Sequence, residues 1–202
     1  MGGGAGRVAM DETLEDKIRA RADADDLAGA ATVALEGYGS ELLGYLVRVS
    51  GSVDVAEEVF SMLTEDLWKA MPSFRWDCAA RTWLYVLARH AHARYRRSPH
   101  ERRRRPLSEL SDVEHRVRTQ TRPWLRTEVK DRFSALRDEL TDEERELLIL
   151  RIDRRMAWAD IARVLDEDDA KAVARVRKRF SNLKKKLHER ARETGLVPGG
   201  AQ

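Results

Sequence analysis

The chain has 202 residues, of which 42% are hydrophobic and 36% charged, so it has enough apolar material for a core and is not a disordered polymer. Its single cysteine, Cys78, excludes an internal disulfide, and no cluster of Cys and His has the spacing of a zinc site. No apolar run approaches the roughly 18 residues of a membrane-spanning helix, and the glycine-rich start lacks the apolar core of a signal peptide. We therefore expect a cytoplasmic protein with no metal, no other cofactor and no membrane insertion.

The charged residues are sorted into blocks, although their sum is only +3. Eight arginines and one acid lie between Arg89 and Arg105, and ten basic residues and one acid lie between Lys171 and Arg192. For the choice of a partner, the local field matters more than the net charge. Two basic blocks about eighty residues apart predict that a polyanion is bound at two places.

The sequence predicts an all-α protein, because β-branched residues are sparse and no stretch alternates as a strand does. Residues 1–28 combine the run Gly2-Gly3-Gly4 with an acidic stretch, and we interpret them as an N-terminal extension that is disordered or weakly helical. Three helical patterns then span residues 29–97 and predict a first small domain. Gly51-Ser52 and Met71-Pro72-Ser73 separate these patterns.

A second small domain is predicted over residues 125–195, after a flexible linker at 98–124 in which prolines and arginines interrupt helical spacing. A short tail, 196–202, follows it. Thr141 to Glu144 has the form of a capping box and predicts the start of a helix. Two short helices that precede one long basic helix are the order of a helix-turn-helix DNA-binding domain.

The final helix is predicted to have a core face, with Val173, Val176 and Phe180, and an opposite basic face. Residues near its start are placed to contact base edges, while Lys184 to Lys186 are placed to contact phosphates. Anchoring the helix on Val173 or on Val176 gives two registers, and a solvated surface face is the alternative interpretation. The basic face holds Lys171, Ala174, Arg175, Lys178, Asn182 and Lys185.

The third helix is predicted to bind single-stranded DNA, since aromatic rings stack on unpaired bases and guanidinium groups hold phosphates. Trp83 is equally compatible with a place in the core, and the histidines lack the neighbours of a metal site. The candidate residues are Trp83, Tyr85, Arg89, His90, His92, Arg96 and Arg97.

The second helix has an acidic polar face that contains one large aromatic residue, Trp68. This combination predicts a protein partner, although Trp68 packed beneath the following loop is an equal alternative. The candidate partner-binding residues are Glu57, Glu58, Ser61, Glu65 and Trp68.

Taken in chain order, these motifs resemble the extracytoplasmic-function sigma factors of RNA polymerase. The resemblance spans roughly residues 30 to 195. It rests on Ala56-Glu57-Glu58 with Trp68, on Phe74, Trp83-Leu84-Tyr85, Ala88-Arg89 and Arg96-Arg97, and on Leu140 to Leu150, Trp158 to Ala162, Arg175-Val176 and Arg179-Phe180.

The resemblance implies a transcription initiation factor with no catalytic activity of its own. The first domain would be similar to sigma region 2, with the Trp68 helix on the β′ clamp of core polymerase and the third helix on the promoter −10 element. The second domain would be similar to sigma region 4, bind the β flap, and contact the −35 element through the basic face and Arg179. An anti-sigma factor is a common partner in that family, and no small-molecule substrate is expected.

Three other functions are alternatives to a sigma factor. A helix-turn-helix regulator that works without polymerase would be a dimer on palindromic DNA. An enzyme is disfavoured because the chain contains no phosphate-binding loop, nucleophile elbow or metal-ligand cluster. An RNA-binding protein stays open for the basic and aromatic faces, while the helix-turn-helix order favours duplex DNA.

Overall fold

The computed structural model describes residues 5–97, 140–167 and 169–193, and within the first helix it describes side chains from Leu14 onward. Over these ranges every regular element is a helix, which confirms the predicted all-α class. The chain divides into two compact units, Met1–Leu125 and Arg126–Gln202. The predicted linker and tail lie outside the described residues, as does the first pattern of the second predicted domain before Leu140.

Local capping chemistry sets the ends of the helices in the N-terminal unit. The side chain of Asp26 accepts a hydrogen bond from the Gly29 N–H at 2.8 Å, and Ser52 accepts one from Val55. Gly51, at φ 70°, ends the long helix in the left-handed conformation that glycine tolerates. The elements are α1 (Ala5–Asp23), α2 (Leu27–Ser50), α3 (Val53–Ala70), a 3₁₀ turn (Met71–Ser73) and α4 (Ala80–Arg97).

Helix α2 lies at the centre of the N-terminal unit, in contact with α1, α3 and α4. Leu42 and Leu46 of α2, Phe60 and Leu63 of α3, and Leu84 of α4 are all fully buried. Burial of such a side chain contributes about 1.5 to 3 kcal/mol of transfer free energy. The apolar stripes of three helices therefore converge on α2.

Residues 1–28 were predicted as an extension that is disordered or weakly helical, and the described part is a helix that packs on its neighbours. It forms helix α1, in which Ile18 is fully buried. Gly37 of α2 lets the two helices approach closely, because a Cβ added there would lie 2.2 Å from Leu14 Cδ2. Helix α1 contacts α2 and α4, and these tertiary contacts outweigh the weak helix propensity of its sequence.

The first described helix of the C-terminal unit begins at the capping box predicted at Thr141. Its N–H donates to Glu144 Oε2 at 3.0 Å, and the Glu144 N–H donates to Thr141 Oγ1 at 3.2 Å, which confirms that prediction. The elements that follow are α5 (Asp142–Leu148), a π-helical turn (Ile149–Asp153), α6 (Trp158–Val164) and α7 (Ala172–Glu193).

A small core joins the three described helices of the C-terminal unit. Leu150, Ile161 and Val164 are fully buried, as is Val176 of α7. Trp158 packs edge-on against Phe180, with ring centroids 5.3 Å apart. Helix α7 therefore packs on α6 and contacts α5, and its outer face is exposed.

Candidate nucleic-acid interface

The outer face of α7, together with Lys171 just before the helix, carries the residues that the sequence predicts for the −35 element. Val176 is fully buried while Val173 is only half-buried, so Val176 is the deeper of the two alternative anchors. The structure brings the predicted residues together on one exposed face: Lys171, Ala174, Arg175, Lys178, Arg179, Asn182 and Lys185.

Two acidic residues of the turn before α7 hold the arginines of this face. The Arg175 guanidinium donates to Asp169 Oδ1 at 2.9 Å and Oδ2 at 2.7 Å, and its Nε donates to Glu167 Oε2 at 3.0 Å. Arg179 donates to the other oxygen of Glu167. The Arg175 hydrogen bonds lower the pKa of the Asp169 carboxyl, and Asp169 in turn raises the pKa of Arg175. The guanidinium fork of Arg175 is therefore engaged before any DNA arrives.

A further ion pair connects α7 to the start of α5. Lys186 Nζ lies 2.7 Å from Glu144 Oε2 and 2.9 Å from Glu144 Oε1. The hydrogen bond from Lys186, followed by the backbone bond from Thr141, lowers the pKa of the Glu144 carboxyl. Lys186 thus stabilises the unit, whereas Lys184 and Lys185 are exposed.

Helix α4 presents its basic residues at different depths. His90, Arg96 and Arg97 are exposed, and Arg89 and His92 are half-buried. A nucleic-acid strand along α4 would meet the most exposed cations near its C-terminal end.

Tyr85 does not belong to this surface, contrary to the prediction that it contacts DNA. Its side chain is fully buried, its hydroxyl donates to Glu41 Oε1 at 2.8 Å, and its ring packs edge-on against Tyr45 at 5.0 Å. Arg81 also donates to Glu41, with its Nε 3.2 Å from Oε1. An acceptor from α2 satisfies the hydroxyl inside the unit, so the ring takes a core position.

Trp83 belongs to an aromatic cluster formed with Phe74 and Trp76 of the segment before α4. Trp83 and Phe74 are stacked with centroids 4.3 Å apart and planes 10° apart, and Trp76 lies 4.5 Å from Phe74. Trp76 has φ 58°, which bulky residues rarely adopt, and the Arg19 guanidinium lies 5.4 Å from its ring centroid. Sequence reasoning missed Trp76 because no helical spacing relates it to the residues of α4.

Helix α3 exposes only part of its predicted partner-binding face. Trp68 is 36% exposed and Glu65 is exposed, whereas Glu58 is half-buried. Glu57 and Ser61 are 7% and 8% exposed, so neither lies on an open surface as predicted. The reason is that α3 packs on both α2 and α4, which buries a wider sector than a one-sided helical wheel assumes.

An ion pair joins the outer surfaces of α3 and α4. Arg94 Nη2 donates to Asp66 Oδ2 at 2.7 Å, two residues before Trp68. The predicted partner-binding helix and the predicted DNA-binding helix are thus adjacent and tied together within one unit.

The described residues contain no group of three His, Cys, Asp or Glu side chains that could hold a metal ion. No helix among them is both long and apolar enough to cross a membrane.

Residues 34–103 match a family model described as Sigma-70 region 2. The chain is 26% identical over 153 residues to the RNA polymerase sigma factor YlaC of Bacillus subtilis, a match that covers 74% of this chain and 87% of the relative. It is 28% identical over 136 residues to the RNA polymerase sigma-H factor of Pseudomonas aeruginosa, with 63% and 70% covered. The family match includes all of α3 and α4.

Proposed function

Since the chain is a sigma factor of the extracytoplasmic-function type, we propose that it binds core RNA polymerase, directs it to promoters through −10 and −35 elements, and assists DNA melting. One observation carries most of the proposal. The family match falls on α3 and α4, whose outer surfaces bear an exposed tryptophan among acids and a set of cations beside stacked aromatic rings.

The proposed contact with polymerase is the exposed part of α3. Trp68 supplies a large apolar side chain, with Glu58 and Glu65 on the same helix, and it would dock on the β′ clamp. Aromatic residues at the centre of an interface commonly contribute most of its binding free energy. Glu57 and Ser61 support this surface from below and are not proposed as direct contacts.

The proposed −10 interface is α4 together with the cluster of Phe74, Trp76 and Trp83. Unstacking a base costs a few kcal/mol, which stacking on aromatic rings and contact with phosphates offset. Arg96 and Arg97 are exposed at the other end of α4, where they would hold the phosphate backbone. We therefore assign base capture to the start of α4 and strand retention to its end, with Arg89, His90 and His92 between them.

The proposed −35 interface is the outer face of α7. Lys171, Arg175 and Lys178 lie near its start, where a helix in the major groove meets base edges, and Lys184 and Lys185 lie further along for phosphates. The same unit would bind the β flap. Binding through several cations should weaken steeply as salt is raised.

None of these roles needs a catalytic group or a cofactor, and core polymerase and promoters locate the proposed action in the bacterial cytoplasm. An anti-sigma factor is a further proposed partner, and one that covers Trp68 would compete directly with polymerase. A regulator that works alone would have no use for a polymerase-binding face on α3.

The deciding experiment is co-elution of the purified chain with bacterial core RNA polymerase at moderate salt, with a known sigma factor as competitor. We expect one chain per polymerase, displaced by the competitor. Trp68→Ala should reduce the affinity about tenfold or more, the scale of a buried aromatic interface residue. Val53→Ala is the matched control, because Val53 is on the same helix and 38% exposed, and it should change the affinity less than twofold.

Absence of co-elution, together with dimeric binding to palindromic duplex DNA, would replace this proposal with the polymerase-independent regulator. Normal co-elution of the Trp68 variant would leave the sigma function standing and move the contact elsewhere.

A further inference from the structure

A carboxylate from α1 occupies the N-terminal end of α4. Glu15 Oε2 accepts the N–H of Ala80 at 2.7 Å, and Oε1 accepts the N–H of Arg81 at 2.9 Å. The first N–H groups of a helix have no partner within the helix, and a negative charge there is favoured by the helix dipole. Such a cap usually comes from the residue just before the helix, whereas this one comes from 65 residues earlier.

The same carboxylate also binds α2. The Tyr38 hydroxyl donates to Glu15 Oε1 at 2.8 Å, and Tyr38 is 2% exposed. One residue before Glu15, Leu14 lies against Gly37 of the same helix. Glu15 is therefore fixed on α2 while it holds the start of α4, and its two oxygens join three helices.

A second residue of α1 reaches the aromatic cluster. Arg19, four residues and about one turn after Glu15, lies with its guanidinium 5.4 Å from the Trp76 ring centroid. Trp76 contacts Phe74, and Phe74 stacks on Trp83 in the first turn of α4. Helix α1 thus touches both the segment before α4 and the first residues of α4.

We propose that Glu15 is a positioning residue for promoter melting: it sets where α4 begins, and so where Trp83 and the cations behind it face the unpaired strand. This inference rests on the proposed function, because it concerns the interface assigned to the −10 element. Glu15 itself contacts no DNA in the proposal. It acts by fixing the orientation of the residues that do.

The test separates positioning from simple stabilisation by supplying a local cap. Glu15→Ala removes the carboxylate, and Ala79→Ser, at an exposed position just before α4, adds a hydroxyl where an N-cap residue stands. Wild type, both single variants and the double variant are each assembled, as full chains, with core polymerase. The probe is a duplex selected by the wild-type holoenzyme from a library with randomised −35 and −10 segments.

Two quantities are measured on that probe: total holoenzyme binding by gel retardation, and open complex by permanganate reactivity of unpaired thymines. We expect Glu15→Ala to lower the ratio of open to total complex about tenfold, the scale for loss of hydrogen bonds to a charged group. Affinity for core polymerase should stay within twofold of wild type. In the double variant the melting temperature of the chain should return toward the wild-type value while the ratio of open to total complex stays low.

Recovery of the open-complex ratio together with the melting temperature in the double variant would overturn the proposal, since Glu15 would then be only a helix cap. Equal losses of core binding and open complex in Glu15→Ala would overturn it as well. If the wild-type chain neither binds core polymerase nor selects a duplex, the proposed function fails first, before any variant is compared.

Discussion

The two units of this chain differ in how their candidate binding residues are held. In the C-terminal unit the residues predicted for base contact are exposed on the outer face of α7 or just before it, yet Arg175 and Arg179 are already paired with acids of the preceding turn. Of the residues predicted for phosphate contact, Lys184 and Lys185 are exposed, whereas Lys186 is half-buried and paired with Glu144. In the N-terminal unit the candidates are divided between the surface and the interior, and Tyr85 is fully buried.

The two units therefore differ in how exposed their candidate residues are and in whether those residues must break existing contacts before they bind DNA. The face of α7 is accessible, but its arginines must exchange carboxylates for bases before they can bind. The cluster at the start of α4 is partly covered, but its rings are already stacked and need no exchange of ion partners. Electrostatic competition should therefore govern the −35 contact, and geometry should govern the −10 contact.

The largest expected effect that tests the electrostatic side is loss of Arg175. Arg175→Ala should weaken binding of holoenzyme to its selected duplex about tenfold to hundredfold and relax the preference at one −35 position. The reason is that a guanidinium makes paired hydrogen bonds to one base edge. The measurement is a set of duplexes with each −35 position varied in turn.

Lys185→Ala is the control for that experiment, because Lys185 is exposed on the same face but is assigned to phosphate. It should weaken all duplexes equally and reduce the salt dependence. An equally uniform loss in Arg175→Ala would contradict its assignment to a base.

A smaller effect, a gain in affinity for DNA, is expected when Arg175 loses its pair with Asp169. Asp169→Asn removes a carboxylate that holds the Arg175 fork at 2.7 and 2.9 Å, so the affinity for duplex DNA should rise about threefold, the scale of a solvent-exposed ion pair. The control is Glu193→Gln, which makes the same change of charge and breaks the 2.9 Å pair with Arg190 at the other end of α7.

Equal gains in the Asp169 and Glu193 variants would mean that net charge alone explains the effect. A loss of affinity in Asp169→Asn would show instead that the acidic turn orients Arg175 productively, and would reverse the contrast between the two units.

The smallest expected effect concerns the stability of the C-terminal unit. Lys186 lowers the pKa of Glu144, so Glu144 contributes stability above its usual pKa, and that contribution is lost as pH falls through the lowered value. Glu144→Gln should lower the free energy of unfolding at pH 7 by about 0.5 kcal/mol, a small value because Lys186 is 42% exposed and solvent screens the pair. Chemical denaturation at pH 7 and at about pH 3 checks it, and the difference from wild type should shrink at the lower pH.

Glu143→Gln, a change at an exposed neighbour on α5, controls for loss of one negative charge. A difference between wild type and Glu144→Gln that persists unchanged at the lower pH would assign the effect to the capping box and remove the role of the Lys186 charge.

The sequence predicted the outer face of α7 well because the buried residues of that helix follow one stripe, and the residues on the opposite face are exposed. A wheel with one buried stripe describes such a helix, and Val176 and Phe180 lie on that stripe. The same wheel misplaced Glu57 and Ser61, because α3 packs on two neighbours. The all-α class and the capping box at Thr141 could also be predicted, because both depend on residues that are close together in the sequence.

The contacts that the sequence could not predict join distant residues. Tyr85 is interior because Glu41, 44 residues earlier, accepts its hydroxyl, and a ring with a polar tip has the same local pattern in a core as on a surface. Glu15 stands in a stretch whose composition suggested an extension. Nothing near it marks a partner at Ala80.

The cap on α4 joins residues that are synthesised at different times. Glu15 leaves the ribosome well before its partners, because the two N–H groups that it binds belong to residues made 65 and 66 positions later. Because N-terminal segments emerge first and distant contacts form only when both partners are present, α1 must wait for the whole of α2 and α3 before this contact can close. The N-terminal unit is therefore completed in one late step, and a nascent chain that stops before Arg81 has no finished surface to offer.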